Sequence, residues 1–241
     1  MVRLLFSTEK GNRGVKMISI VIPVLNEKQA LAKLLPELAE LNKKHEVMVV
    51  DGGSTDGSVD LAKRFATVIN AKQGRAAQMN AGAEIAKGDI FLFLHADTML
   101  PAGALPAIER ALEDEETVGG RFKVRLDDRR MRFRLISVMI NTRDRLTEGF
   151  TGDQAIFVRQ RTFSELGGYS VLPLMEDLDL ARRLRRRGRV VRIPLAVETS
   201  ARRWKENGTL RTVLLMWKIR LYYLLGVPPS RLADMYSGKG R

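Results

Sequence analysis

Four acidic clusters are placed where a carboxylate can do chemistry: Asp51 with Asp56, then Asp97, then Asp153, and finally the pair Glu176-Asp177. In a cleft, such groups either ligate a hard divalent cation, whose shell substrate phosphates complete, or act as a general base. Asp51 opens the run Asp51-Gly52-Gly53-Ser54-Thr55-Asp56-Gly57, whose glycines let backbone approach a ligand while the acid accepts hydrogen bonds from a base or ribose. A helix-capping turn explains the same run. Asp97 stands three residues beyond an apolar run ending at Leu94 and is a candidate Mg²⁺ or Mn²⁺ ligand, an ordinary surface turn being the alternative. In Glu176-Asp177-Leu178-Asp179 one carboxylate can serve as base, its pKa raised by like-charged neighbours and lowered by a helix start. The same acids, followed by the arginine-rich segment from Arg182 to Arg189, also suit the dipole of a plainly capped helix.

These groups need elements to hold them, and the patterning supplies an alternation. Ile18 to Pro23 is a β-branched strand, followed by a helix from Lys28 to about Leu41; His45 to Val50 is a second strand, and Ser58 to Ala66 a second helix. Ala76 to Ala86 reads as a helix and Asp89 to Leu94 as a nearly all-apolar strand, as in the buried middle of a parallel sheet. Alternating strand and helix predict an α/β fold with its site at the carboxyl ends of the strands. Further on, Gly119 to Leu126, Ala155 to Arg159 and Val190 to Ile193 read as strands, and Met131 to Asn141 and Leu178 to Arg187 as helices. Thr209 to Leu225 reads as an amphipathic helix ended by Gly226-Val227-Pro228-Pro229.

With 241 residues and 27.1 kDa, 45% hydrophobic and 29% charged, the chain is neither a disordered tail nor a fibrous repeat. The absence of cysteine excludes a disulfide framework and a thiol nucleophile, and His45 and His95 alone cannot build a multi-histidine cage, so any metal relies on carboxylates. A net charge of +13 attracts phosphates, nucleic acid or anionic lipid. The opening residues lack a signal-peptide core and no run is apolar enough to span a bilayer, so the expected place is cytoplasmic.

The series Ile20-Val21-Ile22-Pro23-Val24-Leu25-Asn26-Glu27, Asp51 to Gly57, Gly74-Arg75 with Asn80-Ala81-Gly82, His95-Ala96-Asp97, and Glu176-Asp177 resembles the ordered motifs of family 2 glycosyltransferases, from about Met17 to Trp204. The resemblance implies the GT-A fold: a Rossmann-like nucleotide-binding half over residues 17–100 fused to an acceptor-binding half over 101–208, forming one catalytic domain. An N-terminal extension (1–16) and a C-terminal amphipathic helix and tail (209–241) flank it. It also implies an inverting transfer of a sugar from a nucleoside diphosphate donor, most commonly uridine-linked, to an acceptor hydroxyl. By position, Pro23, Asn26, Glu27, Asp51 and Asp56 would hold the nucleoside and Arg75 the base or phosphates. Asp97 matches the last acid of the family's D-x-D motif, the metal and diphosphate ligand, and Asp177 the base.

His95 replaces the first Asp of D-x-D. Ser200-Ala201-Arg202-Arg203-Trp204 is similar to the Gln-x-x-Arg-Trp motif of processive synthases, but Ser200 replaces Gln and no long membrane helices follow, which implies a single addition. Arg203 and Trp204, together with Glu176 and the polar loop Gly152-Asp153-Gln154, are candidates for contacting sugar or acceptor. The basic amphipathic stretches Arg129 to Ile140 and Thr209 to Leu225 suit peripheral contact with an anionic membrane or a lipid-linked acceptor, or else core packing or a homodimer. Two other classes stay open: an inactive glycosyltransferase-like nucleotide-binding module, and a nucleic-acid-binding protein, disfavoured because the arginines are not interleaved with stacking aromatics.

Overall fold

The computed structural model describes residues 16–147 and 149–237, apart from the side chains of Asn42 and Ser237. The expected N-terminal extension, except Lys16, and the tail beyond 237 lie outside the described residues.

One half of the molecule is a parallel sheet. β1 (Ile18–Val24) is flanked by β2 (Glu46–Asp51), with β3 (Thr67–Asn70) beyond it, and on its other side by β4 (Ile90–Phe93). The crossovers are α1 (Lys28–Ala39), α2 (Ser58–Ala62) and α3 (Arg75–Ile85). Because the strand order reverses at β1, loops after β1 and β4 part in opposite directions and leave a crevice at their carboxyl ends. After the short β5 (Thr98–Met99) and α4 (Ala104–Ala111), β6 (Thr117–Leu126) leads into α5 (Met131–Thr147), β7 (Ile156–Arg159) and α6 (Gln160–Glu165). Then come α7 (Glu176–Arg185), β8 (Arg189–Thr199), α8 (Arg202–Glu206), α9 (Thr209–Leu224) and α10 (Pro229–Ser237). β7 pairs antiparallel to both β4 and β6, β8 lies parallel to β6, and β5 closes the edge, giving one eight-stranded sheet in the order β3-β2-β1-β4-β7-β6-β8-β5.

Residue alternation along β1 explains the two cores. Ile18, Ile20, Ile22 and Val24 face Leu31, Leu34, Leu35 and Leu38 of α1, whereas Val21 joins Phe91 and Phe93 of β4 and Met79 of α3 on the opposite face. Helix α3 sits unusually close to the sheet at Gly82, where a Cβ would lie 2.4 Å from Val21 Cγ1. That approach places the start of α3, with Arg75, over the crevice. The Gln78 amide then pins the strand ends, its Nε2 donating to the carbonyls of Val24 (2.7 Å) and Val50 (2.8 Å) while its Oε1 accepts from the Gly74 N–H.

Several elements differ from the sequence expectation. The second helix stops at Ala62 rather than Ala66, and α5 runs on to Thr147 rather than ending at Asn141. Helix α7 starts at Glu176, so both acids of the pair lie inside its first turn. β8 continues past Pro194 to Thr199 because two extra residues between the Phe122–Ile193 and Lys123–Ala196 pairings are absorbed as an irregularity where proline cannot donate. The Pro228-Pro229 stop also starts α10, Pro229 being its first helical residue. The core-packing account of the amphipathic stretches holds for one face of α5, where Phe133, Ile136 and Ile140 are buried, but Leu135, Val138 and Leu146 are exposed. Along α9, Leu210, Leu214, Trp217, Leu221 and Leu224 are exposed at helical spacing. No described helix is long and apolar enough to cross a membrane.

Candidate active site

The loop after β1 and the loop after β2 lock together first. Asn26, in the left-handed region at φ 55°, donates its backbone N–H to Ser54 Oγ (2.8 Å) and accepts from the Thr55 N–H through Oδ1 (2.8 Å). Asp51 is buried at the end of β2 and accepts the N–H groups of Gly53 (2.8 Å) and Ser54 (3.0 Å) through Oδ2. Asp56 accepts from the Lys28 N–H at the start of α1 (3.0 Å) and from the Ser58 N–H and hydroxyl, which hold its carboxyl below the usual range. Asp56 therefore ties two helix starts together. Asp51, Gly53, Ser54, Thr55 and Asn70 line an open cleft of about 520 Å³ beside these loops. Pro23 sits within β1, paired with Val50.

The second group converges from elements far apart in sequence. Asp97, just after β4, feels Glu27, Arg202, Arg75 and Asp153; burial and then Glu27 push its carboxyl up while the two arginines oppose. Glu27 is ion-paired to Arg202 at 2.9 Å across the crevice. Arg75 stays accessible at the start of α3, yet its guanidinium reaches Tyr236, Glu176, Asp177 and Asp97. Desolvation lowers its pKa, and those neighbours more than reverse this.

His95 packs against the backbone of Gly152: a Cβ there would fall 2.6 Å from His95 Nε2. Burial, with Arg75 adding, holds the imidazole down to about 3, so it is neutral at physiological pH. Asp177 accepts the Gly152 N–H on Oδ2 (2.9 Å) and its following N–H, from Leu178, on Oδ1 (2.7 Å). Burial pushes Asp177 up and these two donors pull it back. Burial and then Asp177 push Glu176 up to about 7, against the pull of Arg75. The two acids of the pair thus stand in different environments: Asp177 accepts two N–H groups, while burial and the Asp177 charge raise Glu176 towards neutrality.

The structure links these groups in a chain: Glu27 and Asp153 act on Asp97, Asp153 also acts on Asp177, and Arg75 is within electrostatic range of Asp97, Glu176 and Asp177. It does not bring Gln154 to the cleft. That side chain is fully buried, its Oε1 accepting from Thr151 N–H (2.9 Å) and its Nε2 donating to the Phe122 carbonyl (3.3 Å). The expected polar loop is a 3-10 turn held by a Thr151–Gln154 capping box, and Gln154 corrects from ligand contact to turn support. Trp204 packs, partly buried, against the larger of the two core clusters, and the Arg203 guanidinium lies 3.5 Å from the Tyr236 ring centroid.

Side chains in electrostatic range of Asp97, Arg75 or Asp177 that sequence reasoning missed are Arg202, next to the favoured Arg203, and Tyr236, Arg143 and Arg220. Arg202 had a motif around it but no spacing that separated it from Arg203. The other three lie on helices α10, α5 and α9, where only the fold reveals their direction. The motif residue Asn80 is structural, its side chain accepting from the Tyr169 N–H and donating to the Tyr169 carbonyl, both at 2.8 Å.

Among the described residues no three or more His, Asp or Glu side chains converge as a cation cage. A cation held by protein alone does not fit. One taking Asp97 and completing its shell with phosphate oxygens does, since Asp97 is a desolvated carboxylate facing the crevice from which Arg75 also reaches.

A model of the family described as Glycosyl transferase family 2 matches residues 19–167. Among similar sequences, an undecaprenyl-phosphate 4-deoxy-4-formamido-L-arabinose transferase from Aeromonas hydrophila subsp. hydrophila is 34% identical over 131 residues, covering 48% of this chain and 40% of the relative. The like-named protein of Pseudomonas syringae pv. syringae is 33% identical over 142 residues, covering 52% and 42%. The chain thus spans less than half the length of these relatives. Among solved structures, the mannosyltransferase PcManGT from Pyrobaculum calidifontis in complex with GDP-Man and Mn²⁺ aligns with a TM-score of 0.64 at 19% identity, over 86% of this chain and 61% of that one. S. aureus TarS 1-349 aligns with a TM-score of 0.63 at 18% identity, over 83% and 65%. The α/β architecture is that of the GT-A glycosyltransferases.

Proposed function

From the premise that this chain belongs to glycosyl transferase family 2, we propose that it is an inverting glycosyltransferase, taking a sugar from a nucleoside diphosphate donor, uridine-linked first among candidates, to a lipid-linked acceptor. The observation that carries this reading is Asp177, fixed at the start of α7 by the Gly152 N–H (2.9 Å) and within electrostatic range of Arg75, whose charge also reaches Asp97 and Glu176. Within residues 17–208 as catalytic domain, the nucleoside lies against Asn26, Glu27, Asp51 and the 51–57 loop, and Arg75 steadies the diphosphate. Asp177, desolvated and fixed by Gly152, holds the acceptor and takes any proton from its attacking oxygen. Neutral His95 packs behind Gly152 and keeps that N–H aimed. When bound, Mg²⁺ or Mn²⁺ on Asp97 would neutralise charge on the leaving diphosphate.

A thermal-shift screen of nucleotide sugars with Mg²⁺ and Mn²⁺ tests the donor assignment, because a ligand of the native state raises the melting temperature. Stabilisation by one nucleoside diphosphate sugar, followed by its turnover with a lipid acceptor, is the expected result. Stabilisation without turnover on any acceptor would instead mark a nucleotide-binding module, and no stabilisation at all removes the donor reading.

The exposed apolar stripes of α5 and α9 carry Arg132, Arg134, Arg211 and Lys218, and the whole chain +13. This complements an anionic bilayer, and we read the enzyme as peripheral on the cytoplasmic face. Flotation with anionic liposomes at low salt should carry the protein up. A dimer in sedimentation with no flotation would assign the stripes to a second copy.

A further inference from the structure

The arginine-rich segment from Arg182 to Arg189 is divided by the fold, and part of it opens a second cleft, of about 400 Å³. Arg121, Arg145, Arg185, Arg189 and Arg192 line it, with neither an acid nor an aromatic ring among its described lining residues. Direct contacts build it from four elements. Arg192 of β8 stands opposite Arg121 of β6 in the sheet register and donates Nη1 to the Asn141 carbonyl of α5 (3.2 Å). Arg185, in the last turn of α7, donates to the Thr147 carbonyl at the end of α5 (3.3 Å), bringing it to the helix end that carries Arg145. Like charges directly opposite on paired strands repel, yet Asp144 alone serves both, 2.9 Å from Arg121 and 3.9 Å from Arg192. Arg189, at the start of β8, pairs with Asp114 at 3.0 Å and stays 64% exposed. Helix dipoles favour Arg145 and Arg185 in last turns, but they do not call for the three arginines on strands.

The cleft lies away from the catalytic crevice. β8 runs 11 residues from Arg189 to Thr199, and Ser200 beyond it donates its N–H to the Asp97 carbonyl (3.1 Å). At about 3.3 Å per residue, Arg189 is on the order of 30 Å from that end. Helix α7 likewise carries Glu176 and Asp177 in its first turn and Arg185 in its last.

We propose that this cleft is a binding site for a compact, multiply charged free phosphate, of the inorganic di- or tripolyphosphate type, recognised by its charge alone. Guanidinium forks take phosphate oxygens two at a time, and here forks from β6, β8, α5 and α7 converge on one small volume. Asp144 and Asp114 answer only part of their charge, so a bound polyanion relieves repulsion that the fold otherwise has to hold. With no aromatic ring in the lining, a base finds no stacking surface, and a nucleotide or single-stranded nucleic acid gains nothing there over its phosphates. The site uses none of the residues assigned to donor or acceptor, and no bond is made or broken in it.

Titration calorimetry of the full chain with sodium tripolyphosphate, in metal-free buffer of low ionic strength, tests the site. Binding should saturate and be tighter for tripolyphosphate than for diphosphate or single phosphate. The double variant Arg145→Gln with Arg185→Gln, both exposed, should weaken it at least about tenfold while its melting temperature without ligand stays as in the parent. Arg110→Gln with Arg211→Gln removes the same charge from exposed positions outside the cleft and should change affinity by no more than roughly twofold. An equal loss in both doubles would mean that the +13 chain attracts polyanions at large, and overturns the proposal. Arg75→Gln should bind as the parent does; a loss there instead places the anion in the catalytic crevice and overturns it too. If the cleft double fails to fold, Arg189→Gln carries the same test, and unchanged affinity in it counts against the site. No measurable binding of tripolyphosphate overturns the proposal. If phosphatidylglycerol vesicles are then held by the parent and released by the cleft double, the occupant is a lipid headgroup in place of a free phosphate.

Discussion

The backbone N–H of Gly152 donates to Asp177 Oδ2 at 2.9 Å, and the same glycine presents its Cα to the His95 ring. One residue thereby joins the acid of α7 to the histidine after β4, and aims a carboxylate that burial would otherwise leave free to turn.

Asp177→Asn keeps the shape and one acceptor oxygen but removes the charge. Turnover should fall by about 10²–10⁴-fold, while the donor-induced thermal shift stays intact. Near-normal turnover would falsify the assigned role.

Asp97→Ala takes away the carboxylate proposed above to face the donor diphosphate. The thermal shift with nucleotide sugar should lose its dependence on Mg²⁺ or Mn²⁺. Metal-dependent stabilisation equal to the parent's would move the cation elsewhere.

Gly152→Ala puts a methyl group 2.6 Å from His95 Nε2, too close for any real contact. Either the ring or the turn must shift, and the N–H that holds Asp177 shifts with it. Turnover should fall at least about tenfold with donor binding preserved, since a small misplacement of a reacting group is costly; parent-like kinetics would show that the turn has slack.

Glu176 gives a pH signature. Its folded pKa, pushed up to about 7, exceeds the ordinary 4.5, so the folded chain binds this proton more tightly than the unfolded one. The resulting stability is fully present below the unfolded value, declines as pH rises from there, and is lost above the folded value. Glu176→Gln, always neutral, should flatten that decline and be more stable than the parent near about pH 8, as read by urea midpoints. An unchanged pH profile would locate the shift in another group.

The Arg121–Asp144 pair is buried on both sides, with guanidinium nitrogens 2.9 and 3.0 Å from Oδ1. Arg121→Met strands the Asp144 charge, and urea denaturation should show a loss of about 3–5 kcal/mol. A loss below about 1 kcal/mol would mean that Arg192, already 3.9 Å from Asp144, takes over.

Most of the first half of the fold was readable because β1, β2 and β4 are mainly apolar and the loops after them carry polar residues that have no place in a core. β3 escaped notice because Thr67 to Asn70 is short and only half-buried at the sheet edge. In the second half, β8 hid behind Pro194, and α10 behind a proline pair that ends one helix and begins another. Asp97 and Asp177 were legible as acids at strand and helix boundaries. Arg143 and Arg220 were not, since an arginine on an amphipathic helix carries no mark of direction until the helices are packed. Gln154 misled for the opposite reason: a polar residue in a polar loop gives no sign that its amide is turned inward.

The Asn80 clasp on Tyr169 has a consequence for redesign. Both of its bonds go to main-chain atoms, so position 169 is recognised by where its backbone runs and by its fit among Phe93 and Phe163, with no call on the phenol oxygen. That hydroxyl is buried without a partner. A phenylalanine there forfeits no hydrogen bond and relieves a stranded polar atom, while Asn80, whose amide must both give and accept, has no such substitute. In a library built on this scaffold, the bulky aromatic is the position to vary and the small amide the one to freeze.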